Sequence, residues 1–354
     1  MKRSPPPKIS VSMVTYNHEA YIAQAIESVL MQKTCFDYEL VIGEDCSTDG
    51  NRAVVERYQA LHPEVIRAFL RDKNLGMSEN GWQTLNACRG QYIAMLDGDD
   101  YWTDPQKLQK QITFLEANQS YVFCGHRFKI IDDDGRVSGD GFDKYFGGKA
   151  RVDVDLTNFM APFLALPLSV VFRRNAIREH LGRDGLVDSV LWAHLLETNP
   201  GTILNDSMGV YRRHSKGCWS STTAAEQGVM NWKSTIAMAR NARGDVGLIA
   251  NLFDASCEAV VSQHLGQVAD ALRVRDEICL AQPRIGILCG GVPWPVEKLI
   301  TLLYAFVFGA GKGSVRYFLR KARMTSGWGA RAKVLVLFGA MLPFYMSRRI
   351  RHVE

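Results

Sequence analysis

Apolar and polar positions along the first part of the chain fall into two alternating kinds of segment. Short, mostly apolar runs predict buried strands, and they alternate with segments whose apolar residues recur at helical spacing. Strands that alternate with helices indicate an α/β domain with a largely parallel sheet. The predicted strands are Lys8–Val14, Tyr38–Ile42, Ile66–Leu70, Tyr92–Leu96, Tyr121–Ile131, Leu168–Phe172 and Thr202–Tyr211.

The predicted helices carry local start signals. Asp104-Pro105 is typical of an N-cap followed by proline at the first helical position, and Ser47 or Asp49 is predicted to cap the helix after the second strand. Another helix is predicted from Asp188 to about residue 197. Residues from about 224 to 281 also favour helices, which indicates a catalytic domain over 1–222, a helical segment over 223–290 that packs on it, and a tail over 291–354.

The tail differs from the rest of the chain in charge. From Lys312 onward the chain has ten Lys and Arg residues and one acidic residue, Glu354, so the net charge of the tail is +9. The net charge of the whole chain is +5, so the rest of the chain carries −4. Its two apolar stretches, Leu299–Gly311 and Val334–Met346, fall short of the roughly 20 residues needed to cross a bilayer. Interleaved apolar and basic segments favour helices lying on an anionic membrane surface. A buried helical hairpin with a basic solvent face is the alternative.

The composition indicates the cellular compartment and the kinds of partner to expect. The eight cysteines are scattered without a C-x-x-C pair, which favours a reducing compartment and no structural zinc. Three prolines where a leader would be apolar indicate neither a signal peptide nor a membrane anchor at the N-terminus. We expect a cytoplasmic protein held at the membrane periphery. The basic residues sit beside aliphatic runs and form no base-stacking platform, so no nucleic-acid partner is expected.

Acidic residues follow two of the predicted strands directly. One strand ends at Glu44-Asp45 and another at Asp97-Gly98-Asp99-Asp100. Ligands of open α/β sheets bind beyond the carboxyl ends of the strands, where a carboxylate can accept a base N–H and an acidic pair can hold a hard cation. A diphosphate leaving group needs this combination. Asp-x-Asp-Asp alone also fits an exposed acidic turn, but here an apolar strand precedes it and Tyr101-Trp102 with a helix follows.

Five ordered motifs across residues 8–221 resemble the family 2 inverting glycosyltransferases of GT-A fold. They are Val11-Ser12-Met13-Val14-Thr15-Tyr16-Asn17 with Glu19, Gly43-Glu44-Asp45-Cys46-Ser47-Thr48-Asp49, Asn74-Leu75-Gly76, Gly90 through Trp102, and Tyr211-Arg212-Arg213-His214 with Gly217 and Trp219-Ser220. The resemblance implies a mostly parallel sheet flanked by helices, and the helical pattern of residues 224–281 adds a C-terminal helical appendage.

The resemblance also implies a donor site. Thr15, Tyr16, Asn17, Glu19 and Asn74 would line the nucleotide pocket, although Thr15 and Asn17 also fit ordinary turn chemistry. Asp45 would recognise the pyrimidine ring. Asp97 and Asp99 would match the family's Asp-x-Asp pair, with Asp99 as the direct ligand of Mg²⁺ or Mn²⁺.

Inversion at the anomeric carbon is assisted by a base that takes the proton of the acceptor hydroxyl. By position in the family pattern this base is Asp188, although both of its neighbours depart from the pattern, and Asp184 is the reserve candidate. Asp188 also fits a helix cap. Arg212, Arg213 and His214 would lie over the diphosphate, with a structural role as the alternative for His214, and Trp219 would close over the donor.

The sequence therefore predicts a metal-dependent transfer of sugar from a nucleotide donor, UDP-linked, to a glycan or lipid-linked acceptor. A nucleotidyltransferase would also use a metal and a nucleotide, but no glycine-rich basic loop follows the first strand. A non-catalytic sugar-nucleotide sensor would keep Asp45 and the metal pair and lose the base, so Asp188 distinguishes it from an enzyme.

Overall fold

The computed structural model describes residues 5–140, 142–155, 165–177, 188–215, 217 and 220–222. Within these ranges the chain forms one sheet with helices packed on it. The strands are Ile9–Thr15 (β1), Tyr38–Glu44 (β2), Ile66–Leu70 (β3), Tyr92–Asp97 (β4), Tyr101–Trp102 (β5), Phe123–Asp132 (β6), Val137–Gly139 (β7), Arg151–Val154 (β8), Val171–Arg173 (β9) and Gly201–Arg213 (β10). The α-helices are Ile22–Leu30 (α1), Asn51–Leu61 (α2), Met77–Ala87 (α3), Lys107–Ala117 (α4), Asp143–Phe146 (α5) and Asp188–Leu196 (α6).

The sheet has the order β3-β2-β1-β4-β9-β6-β10-β5. Its first four strands are parallel, as predicted, whereas β9 runs antiparallel to both of its neighbours and β5 antiparallel to β10. Because β1 pairs in parallel with β2 and β4, the register places Thr15 beside Glu44 and Val14 beside Asp97. The carboxyl ends of three strands therefore meet at one edge of the sheet.

The core lies around the central strands. Ile9, Val11 and Met13 of β1 are completely buried, as are Ile93 and Leu96 of β4. Such continuous burial is typical of parallel strands covered on both faces. Helix α1 buries Ile22, Ala25, Ile26 and Val29, which recur at helical spacing. A rigid, apolar support thus lies directly beneath the strand ends that carry the acidic residues.

Two predicted helix starts differ from the structure. Helix α4 begins at Lys107, and Asp104 instead accepts a hydrogen bond from Gln106 N at 2.8 Å, in a turn that precedes the helix. Helix α2 begins after Gly50, while Asp49 accepts from Asn51 N at 3.0 Å. In both places the aspartate bonds to the backbone two residues on, which is the competing turn chemistry of this side chain.

No helix in the described ranges is long and apolar enough to cross a membrane. The helical segment predicted over 223–290 and the basic tail over 291–354 lie outside the described residues, so their predicted boundaries stay predictions.

Candidate donor and metal site

The acidic turn after β4 is pressed against the end of β1. Gly98 N donates to Val14 O at 2.9 Å, and Asp100 N closes the turn by donating to Asp97 O at 3.1 Å. A Cβ atom at position 98 would lie 2.6 Å from Thr15 Oγ1 and 2.7 Å from Thr15 Cβ, closer than real contacts allow. Glycine is therefore required here by close approach, and it lets the turn present its carboxylates beside Thr15.

Three carboxylates converge in this turn. One oxygen each from Asp97, Asp99 and Asp100 lies within 4.8 Å of the others. Burial raises the pKa of Asp97 well above its usual range, and the charges of Asp99 and Asp188 add to this effect. Burial, followed by the charges of Asp99 and Asp97, does the same to the pKa of Asp100. Such a crowded set of carboxylate oxygens is an environment that a divalent cation fits.

Asp99 differs from its neighbours because two imidazoles face it. Asp99 Oδ2 lies 3.0 Å from His214 Nε2 and 3.6 Å from His18 Nε2. Burial alone would raise the pKa of Asp99, but the hydrogen bond from His214 and the proximity of both histidines lower it below its usual value. Tyr21 packs against His214 with ring centroids 4.8 Å apart. Asp99 is thus favoured as the ionised member of the turn.

Arg212 fixes the acidic turn through hydrogen bonds to Asp99 and Asp100. Its backbone N donates to Asp100 Oδ1 at 2.9 Å, and its guanidinium donates to Asp99 O and Gln24 Oε1. The same guanidinium stacks on the rings of Tyr21 and Tyr101, at 5.0 and 4.4 Å from their centroids. Arg212 was predicted to lie over the diphosphate. Its contacts in the described residues are to the protein itself, while the next residue, Arg213, is exposed.

Asp45 is buried at the end of β2 and holds the loop that precedes α3. Its Oδ1 accepts from Leu75 N at 2.8 Å and its Oδ2 from Gly76 N at 2.9 Å. Asn74 also accepts from Gly76 N, at 2.9 Å, and remains exposed. Gly76 has a φ of +82°, a conformation that glycine adopts readily. Asp45 and Asn74 therefore both bond to Gly76 N in one loop.

Asn17 and Glu19 join the loop after β1 to the loop after β2. Asn17 has a φ of +58°, and its Oδ1 accepts from Thr48 N at 2.8 Å. Glu19 Oε2 accepts from Gly50 N at 2.9 Å. The neighbouring Tyr16 is 41% exposed, an unusual fraction for a large apolar side chain beside a buried strand end. Asn17 thus performs the turn chemistry left open by the sequence, and Tyr16 offers an accessible ring.

Asp188 is the first residue of α6 and is partly exposed. Burial raises its pKa from the usual carboxyl range to about 6. The charge of Asp188 in turn raises the pKa of Asp97, which places the two carboxylates in one electrostatic environment. The predicted base therefore acts electrostatically on a residue of the predicted metal site. The reserve candidate Asp184 and the predicted lid residue Trp219 lie outside the described residues.

Several residues of the site were not predicted from the sequence. His18, Tyr21 and Gln24 surround Asp99 and Arg212, yet each is a single polar or aromatic residue near the start of α1. Asn51 accepts from Thr15 Oγ1 at 2.8 Å across 36 positions of sequence. The histidine at position 18 was the most accessible clue, because it stands within three residues of Thr15 in a motif already singled out.

Comparison with known proteins agrees with this geometry. Residues 10–174 match the family model for glycosyl transferase family 2. These residues form a domain that is similar to glycosyltransferase family 2. This domain is similar to the putative glycosyltransferase EpsE of Bacillus subtilis, at 35% identity over 129 residues, which are 36% of this chain and 46% of that protein. An uncharacterized protein of Mycobacterium tuberculosis is 34% identical over 217 residues, or 60% of this chain and 61% of the relative.

The chain thus spans less than two thirds of the length of these relatives. Among solved structures, TarS of S. aureus in complex with UDP-GlcNAc has a TM-score of 0.60 at 18% identity, covering 89% of this chain and 91% of that one. The mannosyltransferase PcManGT from Pyrobaculum calidifontis, in complex with GDP-Man and Mn²⁺, has a TM-score of 0.51 at 16% identity, covering 81% and 80%. The fold of the family 2 domain is therefore GT-A.

Proposed function

We propose that this protein is an inverting glycosyltransferase that moves a sugar from a UDP-linked donor to a glycan or lipid-linked acceptor. The observation that carries the proposal is the meeting of Asp97, Asp99 and Asp100 within 4.8 Å at the carboxyl edge of the sheet. The ends of β1 and β2, with Thr15 and Asp45, lie at the same edge. A metal-binding turn beside a nucleotide pocket is what a diphosphate leaving group requires.

In this proposal Asp97 and Asp99 hold Mg²⁺ or Mn²⁺. When bound, the cation supplies charge that offsets the charge developing on the departing diphosphate. Arg212 keeps the turn in shape through its bonds to Asp100 Oδ1 and Asp99 O. The complexes of TarS with UDP-GlcNAc and of PcManGT with GDP-Man and Mn²⁺ support a nucleotide-sugar donor and a divalent cation.

The nucleotide would lie between the loops after β1 and β2. Both oxygens of Asp45 accept backbone N–H groups, but each carboxylate oxygen has a second lone pair, which is available to a pyrimidine N–H. Tyr16 and Asn74 are exposed and would contact the nucleotide directly. Asn17 and Glu19 would act by holding the two loops together, since their oxygens already accept backbone N–H groups.

Asp188 is the proposed general base. The acceptor hydroxyl oxygen attacks the anomeric carbon, the bond from that carbon to the diphosphate oxygen breaks, and the hydroxyl proton passes to a carboxylate oxygen of Asp188. Burial favours this transfer because it raises the pKa of Asp188 to about 6, near the pH at which the enzyme would work. A sensor without activity would have no need for such a residue.

Replacement of Asp188 by asparagine tests the proposal. Asp188→Asn keeps the volume and capping ability of the side chain but cannot take a proton, so turnover should fall by roughly a hundredfold or more while donor affinity hardly changes. Glu64→Gln, the same chemical change at an exposed position before β3, is the control and should keep full turnover. Loss of donor binding in Asp188→Asn would indicate a structural residue, and near-normal turnover would leave the base unassigned.

The donor and acceptor classes need a separate measurement. Nucleotide sugars are screened for metal-dependent release of free nucleotide, with and without a lipid-linked acceptor. Among the relatives, TuaG of Bacillus subtilis is named a putative teichuronic acid biosynthesis glycosyltransferase, at 33% identity over 127 residues, and it supports a polysaccharide as the product. Release stimulated by the acceptor is expected for a UDP-sugar. Release from no donor would contradict the proposed activity.

A further inference from the structure

His18 occupies a position beside the metal site that no earlier step of the mechanism uses. Its side chain is 14% exposed and lies between Thr15 and Asp99. His18 Nδ1 is 3.4 Å from Thr15 Oγ1, and His18 Nε2 is 3.6 Å from Asp99 Oδ2. The two ring nitrogens of a neutral histidine differ, since one carries a proton and the other a lone pair. The partners of His18 decide which is which.

The orientation of Asn51 fixes the direction of the first hydrogen bond. Asn51 is completely buried, and its Nδ2 donates to Glu44 Oε1 at 3.3 Å and to Ser47 Oγ at 3.2 Å. Glu44 can only accept as a carboxylate, so the amide nitrogen of Asn51 must face it. The amide oxygen of Asn51 therefore faces Thr15, and it accepts the hydroxyl proton of Thr15 at 2.8 Å.

This commitment of Thr15 decides the tautomer of His18. Because the only hydroxyl proton of Thr15 is donated to Asn51, its oxygen can only accept a hydrogen bond from His18. Neutral His18 then carries its proton on Nδ1, and the lone pair of Nε2 faces Asp99 Oδ2. A lone pair and an ionised carboxylate that face each other without a proton between them repel, unless a cation lies within reach of both.

His214 has the opposite arrangement. Its Nδ1 is buried and has no hydrogen-bond partner among the described residues, whereas its Nε2 lies 3.0 Å from Asp99 Oδ2. A buried proton without an acceptor is costly, so the proton of neutral His214 belongs on Nε2, where it is donated to Asp99. His214 thus orients Asp99, and His18 keeps the nitrogen lone pair.

We propose that His18 Nε2 is a nitrogen ligand of the cation bound at Asp97 and Asp99, and that it makes the site prefer Mn²⁺ to Mg²⁺. This inference rests on the metal dependence in the proposed function. The donor atoms of His18, Asp99 and His214 lie within 4.8 Å of one another, and Asp99 is shared with the acidic set. Mg²⁺ demands oxygen ligands in near-ideal octahedral geometry, whereas affinity for nitrogen rises from Mn²⁺ along the first transition row.

A chain of hydrogen bonds runs from Glu44 through Asn51 and Thr15 to His18 and fixes the orientation of the His18 ring. A metal-binding imidazole generally donates its other N–H to a protein acceptor, which fixes the ring and raises its basicity. Here the acceptor is Thr15 Oγ1, itself held by Asn51. Thr15, predicted from the sequence to line the nucleotide pocket, thereby gains a second role as the residue that positions His18.

The test measures metal binding to the full chain in the absence of donor and acceptor. Mn²⁺ affinity is titrated by electron paramagnetic resonance and Mg²⁺ affinity by competition, for wild type, His18→Gln and the control His62→Gln. His62 is a histidine after α2 that pairs with exposed Glu64. We expect His18→Gln to lower Mn²⁺ affinity by about tenfold or more, with a much smaller loss for Mg²⁺, and His62→Gln to change neither. Equal losses for both ions, or no loss, would overturn the proposal.

Pulsed electron paramagnetic resonance identifies the ligand directly. Bound Mn²⁺ should show coupling to an imidazole nitrogen that disappears in His18→Gln and persists in His214→Gln. The reverse result would assign the ligand to His214 and overturn the proposal. Thr15→Val removes the acceptor of the His18 proton without removing a ligand, so Mn²⁺ affinity should fall by about tenfold in a protein that stays folded, although the buried Asn51 loses its donor and the thermal unfolding midpoint falls. Unchanged affinity in folded Thr15→Val would refute the positioning step.

The outcomes separate this inference from the proposed function. Metal-dependent sugar transfer by a protein whose bound Mn²⁺ shows no nitrogen coupling would overturn the ligand assignment alone. Nitrogen-coupled Mn²⁺ in a protein that releases nucleotide from no sugar donor would overturn the proposed transferase activity and leave the metal site standing.

Discussion

Single carboxylates in this site have different tasks because their surroundings differ. The hydrogen bond from His214 favours the ionised form of Asp99, while burial pushes the pKa of Asp97 and Asp188 upward. Such divergence is typical of sites where one carboxylate binds a cation and another exchanges a proton.

The pH dependence of turnover should report Asp188. Burial raises the pKa of Asp188 to about 6, and a general base must be deprotonated to act. At saturating metal, kcat/KM should therefore be constant above this pKa and fall by about tenfold for each pH unit below it. The residual activity of Asp188→Asn should lack this limb. If the limb persists unchanged in the variant, the titrating group is a different one.

Removal of Asp99 should abolish metal-dependent donor binding. Asp99→Ala deletes the carboxylate shared by both sets of donor atoms, so the donor affinity gained on adding Mn²⁺ should disappear while the protein stays folded. Asp134→Ala, at an exposed turn before β7, serves as the control. Isothermal titration with the nucleotide sugar measures both. Full activity of the wild type in EDTA would contradict the metal requirement.

Three strands bring these residues together because they end at the same edge of the sheet. The β1, β2 and β4 strands stop within one residue of each other in register, at Thr15, Glu44 and Asp97. The turn after β4 then packs so tightly on β1 that position 98 has no room for a side chain. The geometry of the carboxylates is thus set by strand ends and does not depend on the acidic side chains alone.

Gly98→Ala should damage both stability and the site. The added methyl would lie 2.6 Å from Thr15 Oγ1, and relief of such overpacking typically costs about 1–3 kcal/mol of the free energy of unfolding. Donor affinity should fall as well, because the turn must move. Gly139→Ala on β7 has open space around the added atom and should change stability by less than about 0.5 kcal/mol. Urea titration measures both, and equal stabilities would contradict the close approach.

Local patterns predicted the elements that depend on local sequence. The strands β1 to β4 and the acidic turn follow from apolar runs that stop at Glu44-Asp45 and at Asp97, and the structure agrees within two residues. The resemblance to glycosyltransferase family 2, over residues 10–174, and the GT-A fold are confirmed as well. The two-residue strand β5 was not predicted, because Tyr101-Trp102 is too short to show a period.

Contacts between distant residues could not be predicted in the same way. Arg212 was expected at the diphosphate because its positive charge stands in a family motif, yet its N–H reaches Asp100 across 112 positions. His18 had no pattern around it that indicates a ligand, and its relevance depends on the bonds of Thr15 and Asn51. Sequence therefore identified which residue types gather at the site, and tertiary packing decides which of them face the ligands.

At the scale of the whole molecule, the family 2 domain accounts for the first part of the chain and the basic tail for the last. The tail beyond residue 290 lies outside the described residues, and its net charge of +9 from Lys312 onward is a property of the sequence. We propose that it holds the domain at the cytoplasmic face of an anionic membrane. Such a placement would bring the site to a lipid-linked acceptor.

Vesicle binding tests the role of the tail. Each Lys or Arg near an anionic surface contributes roughly 1 kcal/mol, so the full chain should co-sediment with phosphatidylserine vesicles and dissociate as salt rises. Neutral phosphatidylcholine vesicles are the control and should bind weakly. A chain that ends at residue 290 should bind weakly to both kinds of vesicle. Equal partitioning of the full and shortened chains would favour the alternative of a buried helical hairpin.

Because β10 pairs with β5 and β6, the site can be completed only after β10 has been synthesised. The acidic turn leaves the ribosome more than a hundred residues before Arg212, whose backbone and guanidinium hold Asp99 and Asp100. Contacts between residues so distant in sequence form late in folding, because the long loop between them must first close at a cost in conformational entropy. A nascent chain that has released β4 but not β10 therefore carries its carboxylates without the arginine and histidine that orient them. Among the described strands β10 is the last in sequence, so we expect the proposed cation site to be complete only after β10 has docked.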